Sequence, residues 1–307
     1  MRLNGFDLNL LLALDVLLEE RNVTRASERL HIGQSAASAA LARLREYFGD
    51  ELLTPVGRQL LPTPMALSLI GPVRETLSRA KATISIKPDF DPATVQRRFS
   101  LYASDYVTMV LLANVVVRLA KEAPGIALDI RHPPRDGVEL FERDDVDLMI
   151  MPDQYTSGLP HPKTSLFIDT HACMVWSHNE GVDTSLTFDQ YLQMGHASVR
   201  IGDRQSVAFE EWFLPRYGVQ RRVESSVDNF TCLPSLIIGT QRIATLHKRL
   251  AVYFSQLLPV RLVEVPFDMP PLVETLTWPK HLDDDPAHRW MRRILLECAS
   301  QLQSTSN

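Results

Sequence analysis

Gln34, Ser35 and Ser38 bring an amide and two hydroxyls to the start of one polar segment, where each can meet a base edge or a phosphate. A glutamine can bond bidentately to adenine, and a serine can donate or accept. Downstream, Ala37, Leu41, Leu44 and Phe48 recur at i, i+4, i+7 and i+11, the stripe of a helix with one buried side. The free N–H groups at the start of such a helix also attract a phosphate. Upstream, Asn22 predicts the cap of a shorter helix with Val23, Ala26 and Leu30 at core spacing. Ala26 and Ser27 are small enough for a close helix crossing, and His31-Ile32-Gly33 supplies a turn. Two short helices joined this way have the layout of a DNA-reading helix-turn-helix. A helical hairpin from another α-helical domain, with Gln34 and Ser38 merely solvated, also fits this segment. On the DNA reading, Thr24, Arg25 and Arg45 join Gln34, Ser35 and Ser38 as candidate contacts.

The elements that follow favour DNA. Residues 52–54 and 60–62 flank Pro55-Val56-Gly57-Arg58, a small hairpin whose tip would carry Arg58 to a phosphate. Thr63 and Pro64 then predict the cap and first position of a long helix. Along it Ala66, Ile70, Val73, Leu77, Ala80 and Ile84 alternate steps of four and three, a heptad seam. A helix of that length spans roughly 33 Å, so Ile70, Val73, Leu77, Ala80 and Ile84 are expected to pair with a second copy of the chain. Pro72 inside it should kink the rod.

Beyond residue 86 the periodicity lapses through a Pro- and Asp-containing hinge (87–98), and strand–helix alternation begins. Strands at 99–103, 126–130 and 147–151 with helices at 106–121 and 137–143 predict a parallel sheet covered on both faces. A second unit carries strands at 172–176, 197–201, 222–225 and 261–265 and helices at 188–193, 207–217 and 229–238. The strand 272–278 and helix 286–299 return to the first. The fold class is therefore mixed: a winged helix-turn-helix (1–62), a linker helix (63–86), the hinge, and a two-lobed α/β domain (99–307) resembling periplasmic binding proteins. One lobe takes about 99–165 and 270–300, the other about 166–269. In open α/β sheets ligands sit beyond the carboxyl ends of strands, which makes the cleft between lobes the expected pocket. Ser104, Asp105 and Thr108 stand where the first strand gives way to its helix, and Pro152 ends another strand at the same mouth. Ser104 or Asp105 could equally do no more than cap that helix. His171 opens a strand of the second lobe, either as a ligand contact or as a structural histidine.

The chain of 307 residues has 45 % apolar residues, room for two or three domains. No apolar run approaches the ~20 residues of a membrane span, and the N-terminus does not read as a signal peptide. Cys173, Cys232 and Cys298 lack metal-ligand spacing and fit a reducing cytoplasm. Residues 1–62 hold seven arginines, no lysine and eight acids, a net of −1, so DNA binding should show a modest salt dependence. Five of those arginines fall between Arg21 and Glu46, with Glu19 and Glu20 outside that unit. His171 and Cys173 could form a thiol–imidazole pair, but no orienting acid or oxyanion hole accompanies them, and no enzyme, cofactor or metal site is expected. A solute-binding protein fits the two lobes but leaves residues 1–85 unexplained.

The runs DLNLL, TRASERLHIGQSAAS, LREYFGDELL and LLPTP resemble the LysR-type transcriptional regulators. The likeness extends end to end. APG at 123–125, EEWFLPRYG at 210–218 and TLTWPKHLDDDPAHRWMRRILLE are similar to the flavonoid-responsive nodulation regulators and to regulators that answer salicylate-like acids. Two departures stand out: Ser35 replaces the usual proline, and Ala39 replaces a frequent arginine. The resemblance implies a small aromatic effector between the lobes, contacted by His171, stacked on by Phe230 and held by Arg249. Arg204 offers a weaker version of the same contact. A family member without a small-molecule effector is the alternative. The resemblance also implies a homodimer assembling to a homotetramer on a pseudo-palindromic promoter site, in contact with RNA polymerase.

Overall fold

The computed structural model describes residues 2–3, 6–56, 59–85, 90–133, 141, 146–200 and 208–304, and it divides into two compact units, Met1–Ile86 and Lys87–Asn307.

The first unit opens with a two-residue antiparallel pair, β1 (Arg2–Leu3) and β2 (Phe6–Asp7), followed by α1 (Asn9–Glu20), α2 (Val23–Arg29) and α3 (Gln34–Phe48). Asn22 caps α2 as its residue type predicts: its Oδ1 accepts from the N–H groups of Thr24 at 2.9 Å and Arg25 at 3.1 Å. Leu41 and Leu44 of α3 share one core with Leu14, Leu17 and Ala26, and Ala37 is buried as well. The wing pairs β3 (Leu53–Val56) with β4 (Gln59–Pro62), each longer than its hydrophobic residues suggested. Its tip, with Arg58, lies outside the described residues.

Helix α4 (Pro64–Ser85) begins as the sequence implies, with Thr63 Oγ1 accepting from Ala66 N at 3.1 Å. Part of the seam along it packs within its own unit. Ala66 and Val73 are buried within the same protomer, and Ile70 and Leu77 pack against that core. Helix α1 already covers the first half of the stripe, and the Arg74–Asp15 ion pair at 2.9 Å fixes the contact. A heptad spacing satisfies an intramolecular helix pair as well as an intermolecular one, so Val73 belongs to the unit's own core. Ala80 stays exposed, and the Ile84 side chain lies outside the described residues.

The second unit has two five-stranded sheets. The first contains β5 (Arg97–Tyr102), β6 (Ile126–Arg131), β7 (Leu148–Pro152), β8 (Lys163–Asp169) and, late in the chain, Leu272–Thr277. Its order is β6-β5-β7-(Leu272–Thr277)-β8. A helix runs from α5 (Asp105–Val107) through a π segment (Thr108–Leu112) into α6 (Ala113–Glu122), and a short α7 (Asp153–Thr156) follows β7. The second sheet contains β9 (His171–Trp176), β10 (Gly195–Val199), β11 (Arg222–Val227), β12 (Ile243–His247) and β13 (Val260–Val263), ordered β11-β10-β12-β9-β13. Around it lie α8 (Phe188–Gln193), α9 (Ala208–Tyr217), a 3₁₀ turn (Phe230–Cys232), α10 (Leu233–Ile237) and α11 (Lys248–Leu257). Strand β14 (Leu272–Thr277) and α12 (Pro286–Ser304) then return to the first sheet.

Both sheets are mixed, where alternation alone predicted parallel ones. β14 runs antiparallel to β7 and β8, and β9 runs antiparallel to β12 and β13. The chain crosses between lobes on β8–β9 and on β13–β14, and strands that cross directly need no parallel crossover helix. β8, β12 and α11 had no counterpart in the sequence reading. The lobe boundary expected near residue 166 falls inside β8, which stays in the first sheet to Asp169. The helix expected at 137–143 lies outside the described residues, apart from a buried Phe141. The second sheet is covered on both faces: Ala172 and Met174 join one core cluster, and Cys173 and Val175 join another. That is why HACMVW is apolar without alternation.

Candidate functional site

The polar end of α3 stands clear of its core. Gln34, Ser35 and Ser38 are exposed, as is Thr24 at the start of α2. Gly33 precedes α3 in an extended conformation and supplies no side-chain cap, so the first-turn N–H groups keep an open approach. This is a surface on which an amide and two hydroxyls can meet a groove.

The arginines nearby are less free than the sequence implied. Arg45 Nη2 donates to the Leu53 carbonyl at 2.7 Å and Nε to the Glu51 carbonyl at 2.8 Å, which ties α3 to the wing. Two of its five N–H donors are therefore engaged within the fold. Arg25 remains largely exposed, but its Nη2 donates to the Glu20 carbonyl at 2.9 Å. Glu19 and Glu20, expected to lie outside the reading unit, both stand within ion-pair distance of Arg29. The main cause is the Glu19 contact, which raises the Arg29 pKa further against the opposing effect of burial.

In the second unit the elements at the lobe crossing bring together four rings. Tyr106 from α5, Phe230 from the turn after β11, His171 from the start of β9 and His247 from the end of β12 form one cluster. Tyr106 and His247 have centroids 4.2 Å apart, Phe230 and His247 4.8 Å, and His171 and His247 5.1 Å. The two histidines are cross-strand partners in the β9–β12 register. Burial holds the His171 imidazole down to about 4. Burial, then the neighbouring His171, lowers His247 well below the ordinary histidine value. Both rings are thus neutral at pH 7, and each has a buried Nδ1 without a hydrogen-bond partner.

Asp169, at the end of β8, gathers the donors beneath this cluster. Tyr106 Oη donates to it at 2.6 Å, Thr170 N at 2.8 Å and Arg249 N at 3.2 Å. Burial first, then the Asp169 charge, pushes the Tyr106 phenol pKa well up, so the phenol keeps its proton. Glu274 of β14 is 2 % exposed, and burial followed by Asp169 raises its carboxyl to about 8. A second tie joins the lobes where Thr231 N donates to Asp105 Oδ2 at 2.7 Å.

The sequence-predicted residues divide around this centre. His171 and Phe230 are in the ring cluster, and Asp105 is in the tie beside it. Ser104 caps α5 through its Oγ, which accepts from Val107 N at 3.2 Å, and Thr108 Oγ1 donates to the Ser104 carbonyl at 2.9 Å. Pro152 pairs in register with Glu274 across β7 and β14. The Arg249 Nη1 donates to the Leu302 carbonyl of α12 at 2.7 Å, and its Nε lies 3.9 Å from Asp169. Arg204 lies outside the described residues. His247, Tyr106, Asp169 and Glu274 were missed; the one available signal was a second histidine ending an apolar run. A separate open hollow of about 610 Å³ lies at the other end of the second sheet, lined by Asn179, Gly195, Arg222, Glu224 and Arg242 among others.

Cys173 is fully buried beside Thr245 Oγ1 at 3.8 Å, and burial pushes its thiol up to about 12. A thiol so held is a poor nucleophile, which removes the pairing with His171.

Residues 8–67 match the model of the bacterial regulatory helix-turn-helix proteins of the lysR family. The chain is 42 % identical over 304 residues to nodulation protein D 2 of Rhizobium tropici, covering 99 % of this chain and 96 % of that one. Nodulation protein D 2 of Rhizobium meliloti is 43 % identical, with 98 % and 97 % covered. A probable transcriptional regulator of Pseudomonas aeruginosa superposes with a TM-score of 0.64 at 29 % identity, over 95 % of this chain and 97 % of that one. This chain belongs to the LysR family of bacterial transcriptional regulators. Its full length matches nodulation D proteins, and its role is sequence-specific DNA binding in transcription rather than catalysis. Among the described residues no helix is long and apolar enough to cross a membrane.

Proposed function

We propose that this regulator takes a small aromatic ligand where its two lobes meet and that the ligand biases how the assembled protein holds promoter DNA. The supporting observation is the ring cluster of Tyr106, Phe230, His171 and His247, in which two neutral imidazoles each keep a buried, unpartnered Nδ1. An aromatic plane stacks on such rings, and its hydroxyls answer the imidazole nitrogens. Phe230 supplies the stacking face, His171 and His247 the polar contacts. Arg249 acts as a brace behind the site, while Ser104 and Thr108 set the helix that carries Tyr106. A ligand entering here exchanges ring–ring contacts for its own and loosens the Asp105–Thr231 tie, so the lobes shift only as far as its differential affinity allows.

On the DNA side Gln34, Ser35 and Ser38 read bases, while Thr24, Arg25 and the wing residue Arg58 contact phosphate. The protein works in the cytoplasm as a homodimer that assembles to a tetramer on a pseudo-palindromic site and meets RNA polymerase there. The exposed Ala80 of α4 supports pairing between copies. A thermal-shift and calorimetric screen of the full chain with flavonoids and phenolic acids tests the ligand reading. At least one class should bind, and His171→Phe should weaken it. No binding by any class favours a regulator that works without an effector, a reading to which the closed contact between the lobes also lends support.

A further inference from the structure

The cations that a nucleic-acid backbone would attract are held by carboxylates of their own unit. Arg29 Nη1 stands 2.9 Å from Glu19 Oε1 and 3.1 Å from Glu20 Oε1. Arg25 Nε stands 3.6 Å from Glu20 Oε2. Arg43 lies 3.7 Å from Asp7, and Arg45 3.2 Å from Glu51. Four of the five arginines between 21 and 46 are therefore paired before any DNA arrives. Glu19 and Glu20 keep only 16 % and 23 % side-chain exposure, whereas Arg25 keeps 64 %. The carboxylates are fixed at the end of α1, and the guanidinium is the partner able to swing away.

We infer that Glu19 and Glu20 form an electrostatic latch, Glu20 holding Arg25 and both holding Arg29, and that it determines specificity without touching a base. This rests on the reading that α2 and α3 face DNA. Affinity for arbitrary DNA comes almost entirely from cations meeting phosphates and releasing counterions. An arginine that must first leave a carboxylate exchanges one anion for another and gains little, so random sequence is gripped weakly. Where α3 finds its bases, the added contacts offset the opening, because ion pairs this exposed are weak individually. Specificity is a difference of affinities, and the latch acts by lowering the wrong one.

The test measures binding of the full chain to a fluorescent random-sequence duplex between 50 and 200 mM KCl. Glu20→Gln keeps the shape and removes the charge. It should steepen the salt slope by about 0.9 for Arg25, and by a similar step for Arg29 once Glu19→Gln is added, so each new contact loses about 3.5-fold affinity over that fourfold salt range. Glu46→Gln, on an exposed site of α3, removes the same charge without freeing an arginine and should leave the slope unchanged. Arg25→Ala with Arg29→Ala in the Glu20→Gln background should restore the original slope. Glu19→Gln gives the same comparison if Glu20→Gln melts early. Equal effects of Glu20→Gln and Glu46→Gln would reduce the latch to a diffuse field and overturn it. If the two arginine substitutions flatten the slope of the otherwise unaltered chain, the arginines already grip DNA; the latch fails and the DNA-facing reading stands. If no slope responds to them and Gln34→Ala leaves sequence preference intact, the reading itself fails.

Discussion

Replacing Arg249 with alanine separates two roles that one side chain could fill. Its guanidinium donates to the Leu302 carbonyl at 2.7 Å and stands 3.9 Å from Asp169, whose side chain is only 5 % exposed. At that distance the charge pair is worth about 4 kcal/mol gross at an effective dielectric of about 20. Burial offsets much of this, and Asp169 keeps donors from Tyr106, Thr170 and the Arg249 main chain, so the carboxylate is not abandoned. The lost hydrogen bond adds about 1 kcal/mol. Together these give a destabilisation of about 2–3 kcal/mol, and Arg249→Lys should recover part of it. All four tryptophans lie in the second unit, so intrinsic fluorescence during urea unfolding reports on it alone. The midpoint should fall by about 1 M for a slope of 2–3 kcal/mol per molar. An unchanged midpoint together with lost ligand response would make Arg249 a ligand clamp and refute the brace.

Glu274 makes stability fall as pH rises from about 4.5 to 8. Its folded carboxyl titrates near 8 and its unfolded one near 4.5, so stability is full below pH 4.5 and is lost as pH rises through 8, by about 4–5 kcal/mol in all. Glu274→Gln should flatten the fall in urea midpoint between about pH 4.5 and 8, and an unaltered fall would show another group responsible. His171 acts in the opposite sense: its folded pKa near 4 lies below the ordinary 6.5, so stability present above 6.5 is lost as pH falls towards 4. His171→Asn should blunt the acid limb, as measured by the same profile. Gln34→Ala should cost about 1–3 kcal/mol per half-site on the true operator and little on random DNA, while Arg58→Ala weakens both alike in a shift assay. Val73→Asp should unfold the first unit in circular dichroism because that residue is 4 % exposed in one protomer; Ala80→Asp should leave it folded and lower self-association in sedimentation.

The helix-turn-helix was legible because each signal in it is local. Asn22 caps from its own side chain, the α3 stripe repeats within fifteen residues, and Thr63 caps α4 at the predicted position. The proposed effector site was legible only in fragments, because it is assembled from five places in the chain. IATLHKRLAVYF passes from β12 into α11 with no turn residue between His247 and Lys248, so neither period is long enough to declare itself. His247 was hidden there, and nothing local announces that Arg249 bonds the Leu302 carbonyl 53 residues away. The π segment at Thr108–Leu112 left no mark either, since its residues suit any helix.

The α4 stripe shows a different limit. Ala66, Ile70, Val73 and Leu77 repeat as an apolar seam whether the surface they cover belongs to the same chain or to another copy. Spacing reports that a face is buried and is silent on what buries it. Here α1 takes the first half of that face and Arg74–Asp15 pins it, while Ala80 stays exposed. The same logic governs the arginines of α2. Their number suggested a basic face, but charge in a sequence is counted singly, whereas charge on a surface is felt in pairs. Glu19 and Glu20 precede the helix break, and Arg25 and Arg29 follow it. Only the turn between α1 and α2 reveals that the four form one cluster. A promoter-binding unit built this way draws its selectivity from how little it gains on the wrong sequence.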